Sequence, residues 1–120
     1  MQDPLYREII LEHWQNPQNF GVIQNADIDI IENNPLCGDE IRLTMQIEKG
    51  KIKNILFSGI GCAISQASAS MFTEEIKGES LESLKSKKEK DVLELLGIEL
   101  TPARMKCALL IYKTLKKVQL

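Results

Sequence analysis

Three cysteines are the residues of this chain best suited to chemistry. Cys37, Cys62 and Cys107 are widely separated in the sequence. None belongs to a C-x-x-C pair, so their spacing differs from the patterns typical of zinc fingers and ferredoxins. We expect each on a different element: a loop that enters a strand, a loop that opens a helix, and the second turn of the last helix. Spacing alone leaves their role open.

The neighbours of the cysteines point to a shared site. Glycine follows Cys37 directly and also stands one and three positions before Cys62, so the backbone is free to turn the thiols towards one point. Asp39 is close enough in sequence to Cys37 to direct a carboxylate to the same point. Three thiolates and one oxygen would complete a tetrahedral zinc site, or would hold an iron-sulfur cluster with one harder, exchangeable ligand.

Local charge favours the reactive, anionic form of these thiols. Cys62 is expected at a helix N-terminus, where the helix dipole is positive, and Arg104 and Lys106 lie close to Cys107 in sequence. Both features favour thiolate and persulfide anions. The competing interpretation is that all three cysteines are small, inert, buried residues. The residues considered so far do not decide between the two.

Composition excludes several classes of protein. The chain has 120 residues, 43% of them hydrophobic and 27% charged, with a formal net charge of -2. These values fit one domain over residues 1–120 and argue against a nucleic-acid partner. No apolar run approaches the roughly 20 residues that a membrane span requires, and the N-terminus lacks the pattern of a secretory signal. We therefore expect a cytoplasmic protein with reduced thiols and no membrane partner.

The hydrophobic pattern predicts an α+β fold in which the strands precede most of the helices. A helix over 3–14 is followed by strands, of which 41–48 and 52–58 should form an antiparallel hairpin. A helix over 63–76 carries unusually small side chains, and one or two short helices should lie within 80–96. A last helix starts with Thr101 as its cap and shows an apolar stripe. The predicted strands span 26–32, 41–48 and 52–58. The predicted helices span 3–14 and 63–76, with short helices within 80–96 and a last helix from residue 101. The apolar stripe of the last helix consists of Met105, Leu109, Tyr112 and Leu115.

Three cysteine motifs, in this order, resemble the U-type iron-sulfur scaffold family (IscU, SufU and the NifU N-terminal domain). The opening segment, from Leu5-Tyr6 to Asn16-Pro17-Gln18-Asn19, is also similar to the first helix and turn of that family, so the resemblance covers nearly the whole chain. The motifs are Asn34-Pro35-Leu36-Cys37-Gly38-Asp39, Gly59-Ile60-Gly61-Cys62-Ala63-Ile64-Ser65 with Ala67-Ser68-Ala69-Ser70-Met71, and Pro102-Ala103-Arg104-Met105-Lys106-Cys107.

The resemblance implies both a fold and a function. The fold is the SufE/NifU-like one, a three-stranded antiparallel sheet with helices packed on it and the cysteines at one exposed end. The function is iron-sulfur cluster assembly with a cysteine desulfurase as sulfur donor and apo iron-sulfur proteins as acceptors. Carried over, Cys37, Cys62 and Cys107 are the ligands of a transient [2Fe-2S] cluster or of Zn2+, and Asp39 lies beside them.

Two departures from the family motifs concern the subfamily. Lys106 stands where the Isc-type branch has histidine. Lysine at this position is similar to the Suf-type branch of zinc-binding sulfurtransferases. However, residues 79–100 are too few to contain the insertion that is usual in that branch. Thr101 to Met105 replace the Isc-type Leu-Pro-Pro-Val-Lys stretch, which makes recognition by a dedicated Hsp70 chaperone doubtful. His13, the only histidine, is a weaker candidate for a fourth ligand.

Three hypotheses follow. In the first, the protein is a scaffold, without catalytic activity of its own, on which a [2Fe-2S] cluster is built and released, with Asp39 as the labile ligand. In the second, it is a zinc-dependent sulfurtransferase in which cysteine thiols, Cys37 foremost and Cys107 with it, carry the persulfide. In the third, it is a structural zinc module that docks partners and would unfold without metal.

Overall fold

The computed structural model describes residues 4–35 and 38–118 and contains a three-stranded sheet and six helices in that part of the chain. The order is helix, three strands, then helices, as the sequence predicts. In chain order the elements are α1 Pro4–Gln15, β1 Ile28–Asn34, β2 Asp39–Glu48, β3 Lys51–Ile60, α2 Ala63–Ile76, α3 Leu81–Leu84, α4 Glu89–Leu96, α5 Pro102–Ala108 and α6 Leu110–Lys116. The α+β fold with a three-stranded antiparallel sheet is confirmed.

The sheet is an antiparallel meander with the order β1-β2-β3. Lys49 and Gly50 both adopt positive φ, 54° and 75°, in the two-residue turn between β2 and β3, which suits the twist of a tight hairpin. In β2, Ile41, Leu43 and Met45 alternate into the core, as the sequence pattern predicts. Strands β2 and β3 are longer than expected, which places Asp39 at the start of β2 and Gly59 near the end of β3, whereas β1 lies two residues later than predicted.

Helix α2 lies at the centre of the molecule. It packs against α1, β3, α4, α5 and α6, and its four consecutive small residues from Ala67 to Ser70 are all at most 1% exposed. Small side chains on every face allow neighbouring elements to approach the helix axis closely. The hydroxyls are satisfied within this packing: Ser68 Oγ donates to the carbonyl of Ser65 at 3.1 Å, and Ser70 Oγ accepts from the backbone N–H of Gln18 at 2.7 Å.

The C-terminal segment differs from its prediction. Instead of one helix, α5 and α6 meet at Leu109, which has φ -89° and ψ 1°. The buried face is also shifted from the predicted stripe, since Met105 is 37% exposed while Cys107, Leu110 and Ile111 are buried. The rest of the stripe does face the core, because Leu115 is 1% exposed and Leu109 and Tyr112 are partly buried against the main apolar cluster. Thr101 does cap α5, because its side chain accepts from the backbone N–H of Arg104.

The first helix places Ile10 in the core at 5% exposed, whereas Leu5 is 61% exposed. Residue 3, where the sequence predicts that this helix begins, lies outside the described residues. None of the helices in the described ranges is long and apolar enough to cross a membrane.

Gly59 provides a test of how closely β2 and β3 must approach. Its φ is 143°, and a Cβ added there would collide with the backbone carbonyl oxygen of Glu40. Gly59→Ala should therefore lower the free energy of unfolding by about 3 kcal/mol or more, since backbone atoms in a sheet cannot move aside. The measurement is urea-induced unfolding followed by circular dichroism.

Gly78→Ala is the matched control. Gly78 also has a positive φ, 85°, but a Cβ there would meet nothing within 4 Å. Its loss should be limited to the conformational cost of about 1 kcal/mol. Equal losses in the two variants would show that backbone conformation, not close approach, constrains Gly59.

Candidate metal and sulfur site

Three elements bring their side chains together at one end of the sheet. One ligand atom each from Asp39, Cys62 and Cys107 can be chosen so that all three lie within 4.8 Å of one another. Asp39 begins β2, Cys62 is the N-cap of α2, and Cys107 lies in α5. The structure thus joins residues that are 23 to 68 positions apart in the chain, as the sequence analysis proposed.

Cys37 lies outside the described residues, so its place in this group stays a prediction. The described residues on either side of it are bonded to each other: the backbone N–H of Gly38 donates to the carbonyl of Asn34 at 2.9 Å, and Asn34 pairs with Asp39 across β1 and β2. Gly38 has a φ of 74°, which glycine adopts without steric cost. The ends of the cysteine-bearing loop are therefore fixed beside Asp39.

The N-terminus of α2 is held against Asp39. The backbone N–H of Cys62 donates to Asp39 Oδ1 at 3.3 Å, and the hydroxyl of Ser65 donates to the carbonyl of Cys62 at 3.1 Å. A Cβ at Gly61 would collide with Ser65 Oγ and would lie 3.2 Å from Asp39 Cγ. Only glycine leaves room for this arrangement, which explains why Gly61 precedes the cysteine.

Asp39 has an oxygen that the described residues leave unsatisfied. The residue is 5% exposed, and its Oδ2 is buried without a hydrogen-bond partner among the described residues. A buried carboxylate oxygen without a partner is costly, and a bound cation would remove that cost. This oxygen and two neighbouring thiols are suitable donors for zinc or iron.

The geometry fits a single metal ion. Zinc-sulfur bonds of about 2.3 Å and zinc-oxygen bonds of about 2.0–2.2 Å place tetrahedral donors roughly 3.5–4 Å apart. Donors that already lie within 4.8 Å need only small side-chain movements to reach one ion. Asp39, Cys62 and Cys107 would hold it, and Cys37 is the predicted fourth ligand.

The two described cysteines differ in their surroundings. Cys107 is 5% exposed and packs in an apolar cluster with Ile64 and Ala108 on its inner side. Cys62 is a free thiol of intermediate exposure at the edge of that cluster. A reagent or partner would therefore reach Cys62 more readily than Cys107. The cluster comprises Ile10, Ile64, Ala67, Leu96, Cys107 and Ala108.

His13 is engaged elsewhere. Its Nδ1 lies 2.7 Å from Ser70 Oγ, in the contact between α1 and α2. It is absent from the group of candidate ligands found in the described ranges. His13 therefore ties the first helix to the central one.

Comparison with known proteins identifies the family. Residues 5–118 match the model of the NifU-like N terminal domain. The chain belongs to this family. The zinc-dependent sulfurtransferase SufU of Bacillus subtilis (strain 168) is 41% identical over 132 residues, covering 96% of this chain and 89% of the relative. The iron-sulfur cluster assembly scaffold protein IscU of Thermotoga maritima is 36% identical over 129 residues, covering 94% and 91%.

A solved structure agrees with the fold. The crystal structure of a protein described as an iron-sulfur cluster assembly scaffold for the SUF system, from Fervidobacterium islandicum AW-1, superposes with a TM-score of 0.79 and 30% sequence identity. The match covers 92% of this chain and 93% of the other. The family and the architecture inferred from the three cysteine motifs are therefore both confirmed.

Both alignments span more positions than the 120 residues of this chain, so both relatives contain residues that this chain lacks. One relative is named a sulfurtransferase and the other a scaffold, so the shorter length of this chain does not by itself distinguish the two activities.

The donor set predicts that zinc stabilises the folded protein only when the ligands are intact. Adding zinc should raise the melting temperature of the wild-type protein, because an ion that binds only the folded state stabilises it. Cys107→Ser should lose most of that rise. His13→Gln is the control, because it keeps a polar side chain beside Ser70 and lies outside the ligand group, so its response to zinc should match the wild type.

Differential scanning fluorimetry with and without zinc measures this response. A full zinc-dependent rise in Cys107→Ser would remove Cys107 from the ligand set. The metal-free protein should still melt cooperatively, since the main apolar cluster beneath the sheet contains none of the three described ligands. Loss of that transition without metal would instead support a purely structural zinc module.

Proposed function

We propose that this protein is an iron-sulfur cluster assembly scaffold. Sulfur from a cysteine desulfurase arrives as a persulfide on the thiols of Cys37, Cys62 and Cys107 and is reduced to sulfide by an external thiol or redox-protein electron donor. The sulfide combines there with iron into a [2Fe-2S] cluster, which is then passed to an apo-protein. The observation that carries the proposal is the unsatisfied, buried oxygen of Asp39 beside two thiols from separate elements. Membership of the NifU-like N-terminal domain family supports it.

The mixture of ligands suits a site that must release its cargo. Thiolates bind iron and zinc strongly, whereas a carboxylate is a harder and more exchangeable ligand. Asp39 is fixed by the backbone N–H of Cys62 through one oxygen and offers the other. Cys62 is partly exposed, so an acceptor thiol can approach from that side. Both features support transfer of a complete cluster.

A zinc-dependent sulfurtransferase is the second candidate. It is favoured by the name of the Bacillus subtilis relative at 41% identity and by Lys106, whose charge next to Cys107 stabilises an anionic persulfide. In this function zinc stays bound, supplying a positive charge that keeps the thiolates anionic, and Cys37 carries the sulfur. Both candidates require a desulfurase and the same four residues.

Cluster formation in the presence of iron distinguishes the scaffold from the sulfurtransferase. Wild-type protein mixed anaerobically with desulfurase, cysteine and ferrous iron should develop visible charge-transfer absorption and should then convert apo-ferredoxin to its cluster-bound form. Absorption spectra, iron and acid-labile sulfide content, and ferredoxin reduction are the measurements. Cys107→Ser should form at most a trace of cluster, because it removes one thiolate ligand.

The opposite result is equally specific. One tightly held zinc per chain, strong stimulation of desulfurase turnover that disappears in Cys37→Ala, and no cluster in the presence of iron would establish the sulfurtransferase and refute the scaffold. Failure of the desulfurase to transfer any sulfur to the protein would refute both.

Asp39→Ala tests the labile ligand. It should slow cluster transfer to an acceptor several-fold while the protein remains folded, because the hard, exchangeable ligand is missing. The measurement is the rate of ferredoxin reconstitution from the preloaded protein. Unchanged transfer would exclude this role for Asp39.

Asp27→Ala is the matched control for Asp39→Ala. Asp27 is also an aspartate that accepts a hydrogen bond from a backbone N–H, that of Ile47 at 2.7 Å. This hydrogen bond is at the opposite end of β2 from Asp39. The Asp27→Ala variant should lose a similar hydrogen bond, which contributes roughly 1–2 kcal/mol to the free energy of unfolding, and its rate of cluster transfer should not change. A transfer defect in both variants would trace the effect to destabilisation.

A further inference from the structure

A second surface feature lies beside the thiol site and is not used by it. A cavity of about 640 Å³ opens between the end of β1, α4 and the two C-terminal helices. Its size falls in the range of ligand and peptide pockets, roughly 300–1,000 Å³. Its lining is Asn34, Pro35, Glu89, Lys106, Leu109, Leu110, Tyr112, Lys113, Lys116 and Lys117. We name this feature the lysine pocket.

The rim of the lysine pocket is basic. Four of the lining residues are lysines and one, Glu89, is acidic. Lys113 and Lys117 share Glu32, at 3.6 and 3.2 Å. Burial raises the pKa of Glu32, but the hydrogen bonds from Lys117 and from the backbone N–H of Asn33, together with the charges of Lys113 and Lys117, outweigh it and lower that pKa overall. Even with Glu32 and Glu89 ionised, the rim keeps a surplus of two positive charges.

The floor of the pocket is apolar and preformed. Leu110 is 1% exposed, and Leu109 and Tyr112 pack against the main core. The hydroxyl of Tyr112 donates to the carbonyl of Lys87 at 3.3 Å, and Lys116 Nζ lies 5.3 Å from the centre of its ring. The ring is therefore held in place. An apolar group entering the pocket would meet a rigid surface.

The chemistry of the rim distinguishes between anionic ligands. Phosphate groups are typically held by backbone N–H groups at a helix N-terminus or by the planar forks of arginine. The described lining of the lysine pocket contains no arginine, so it lacks the planar fork that binds a phosphate through two parallel hydrogen bonds. Flexible lysines around an apolar floor instead suit carboxylates that flank an apolar side chain.

We propose that the lysine pocket binds an acidic segment of a partner protein, with an apolar side chain in the pocket and carboxylates on the lysines. The pocket lies close to the thiol site, because Lys106, which lines the pocket, directly precedes Cys107. A partner held there has its acidic segment near Cys107. This goes beyond the proposed function, since the segment binds whether the site transfers sulfur or a cluster.

The test uses a labelled peptide. The probe is a short fluorescein-labelled peptide with blocked ends, containing leucine and phenylalanine flanked by aspartates and glutamates. It should bind the full-length protein in fluorescence polarisation, more weakly as salt rises, and should shift the amide NMR signals of Leu109, Tyr112 and Lys116. A peptide with asparagine and glutamine in place of the acids, and one with serine in place of the apolar residues, should each bind at least about fivefold more weakly.

Paired variants locate the binding surface. Lys106→Glu combined with Lys116→Glu should weaken binding about tenfold or more, because two attractions become repulsions. Lys51→Glu combined with Lys53→Glu makes the same change of net charge on exposed positions of β3, outside the pocket, and should leave the affinity within about twofold. Circular dichroism checks that both double variants are folded.

Three outcomes would overturn the proposal. These are undetectable binding at low salt, an equal loss in the two double variants, and ATP or inorganic phosphate binding more tightly than the peptide with shifts at the same amides. The experiment contains no iron, sulfide or desulfurase. Its failure therefore leaves the proposed function standing, and failure of cluster assembly leaves peptide binding intact.

Discussion

The contact between the start of β2 and the start of α2 is the constraint on which the site depends. The backbone N–H of Cys62 donates to Asp39 Oδ1, and this single hydrogen bond fixes two candidate ligands relative to each other. It is formed only because β2 and β3 approach closely at Gly59 and because Gly61 leaves room for Ser65. The glycines near Cys62 therefore act through the space they leave empty as well as through their backbone freedom.

The third ligand reaches the site through the central helix. Because the residues of α2 from Ala67 to Ser70 are small and buried, α5 can pack close enough for Cys107 to approach the N-terminus of α2. Ala67 and Cys107 belong to the same apolar cluster. A larger side chain at Ala67 would therefore act on the metal site by moving α5. The rigidity of this support allows a site with a partly exposed thiol to keep its geometry.

Much of this arrangement follows from the sequence. Alternation in Ile41, Leu43 and Met45 gives β2 and its buried face, and the Lys49-Gly50 turn gives the hairpin register. The cysteine motifs indicated the family and predicted the site, of which the structure brings Asp39, Cys62 and Cys107 together. Those motifs succeed because short glycine-flanked loops encode local geometry directly.

The failures have a different physical origin. The predicted stripe included Met105, but this side chain is 37% exposed, whereas Cys107 and Leu110 are buried. Which residues of this segment are buried depends on the elements that α5 and α6 pack against, which no local pattern records. The lysine pocket was likewise invisible in the sequence, because its lysines alternate with the buried residues of α5 and α6 and resemble an ordinary solvent-facing side. Only the tertiary packing against Glu32 and Tyr112 shows that they surround an apolar floor.

The position of Lys106 connects the two surfaces of the molecule. Its backbone precedes Cys107, which belongs to the candidate metal site, while Lys106 itself lines the lysine pocket. Consecutive residues on a helix point about 100° apart, so one turn of α5 can serve both surfaces. A charge at this position therefore acts on two processes at once: it favours an anionic sulfur at Cys107 and attracts an acidic partner beside it. Replacement of Lys106 by a neutral side chain would weaken both, which gives the chain a physical reason to carry lysine here whether it transfers sulfur or a complete cluster.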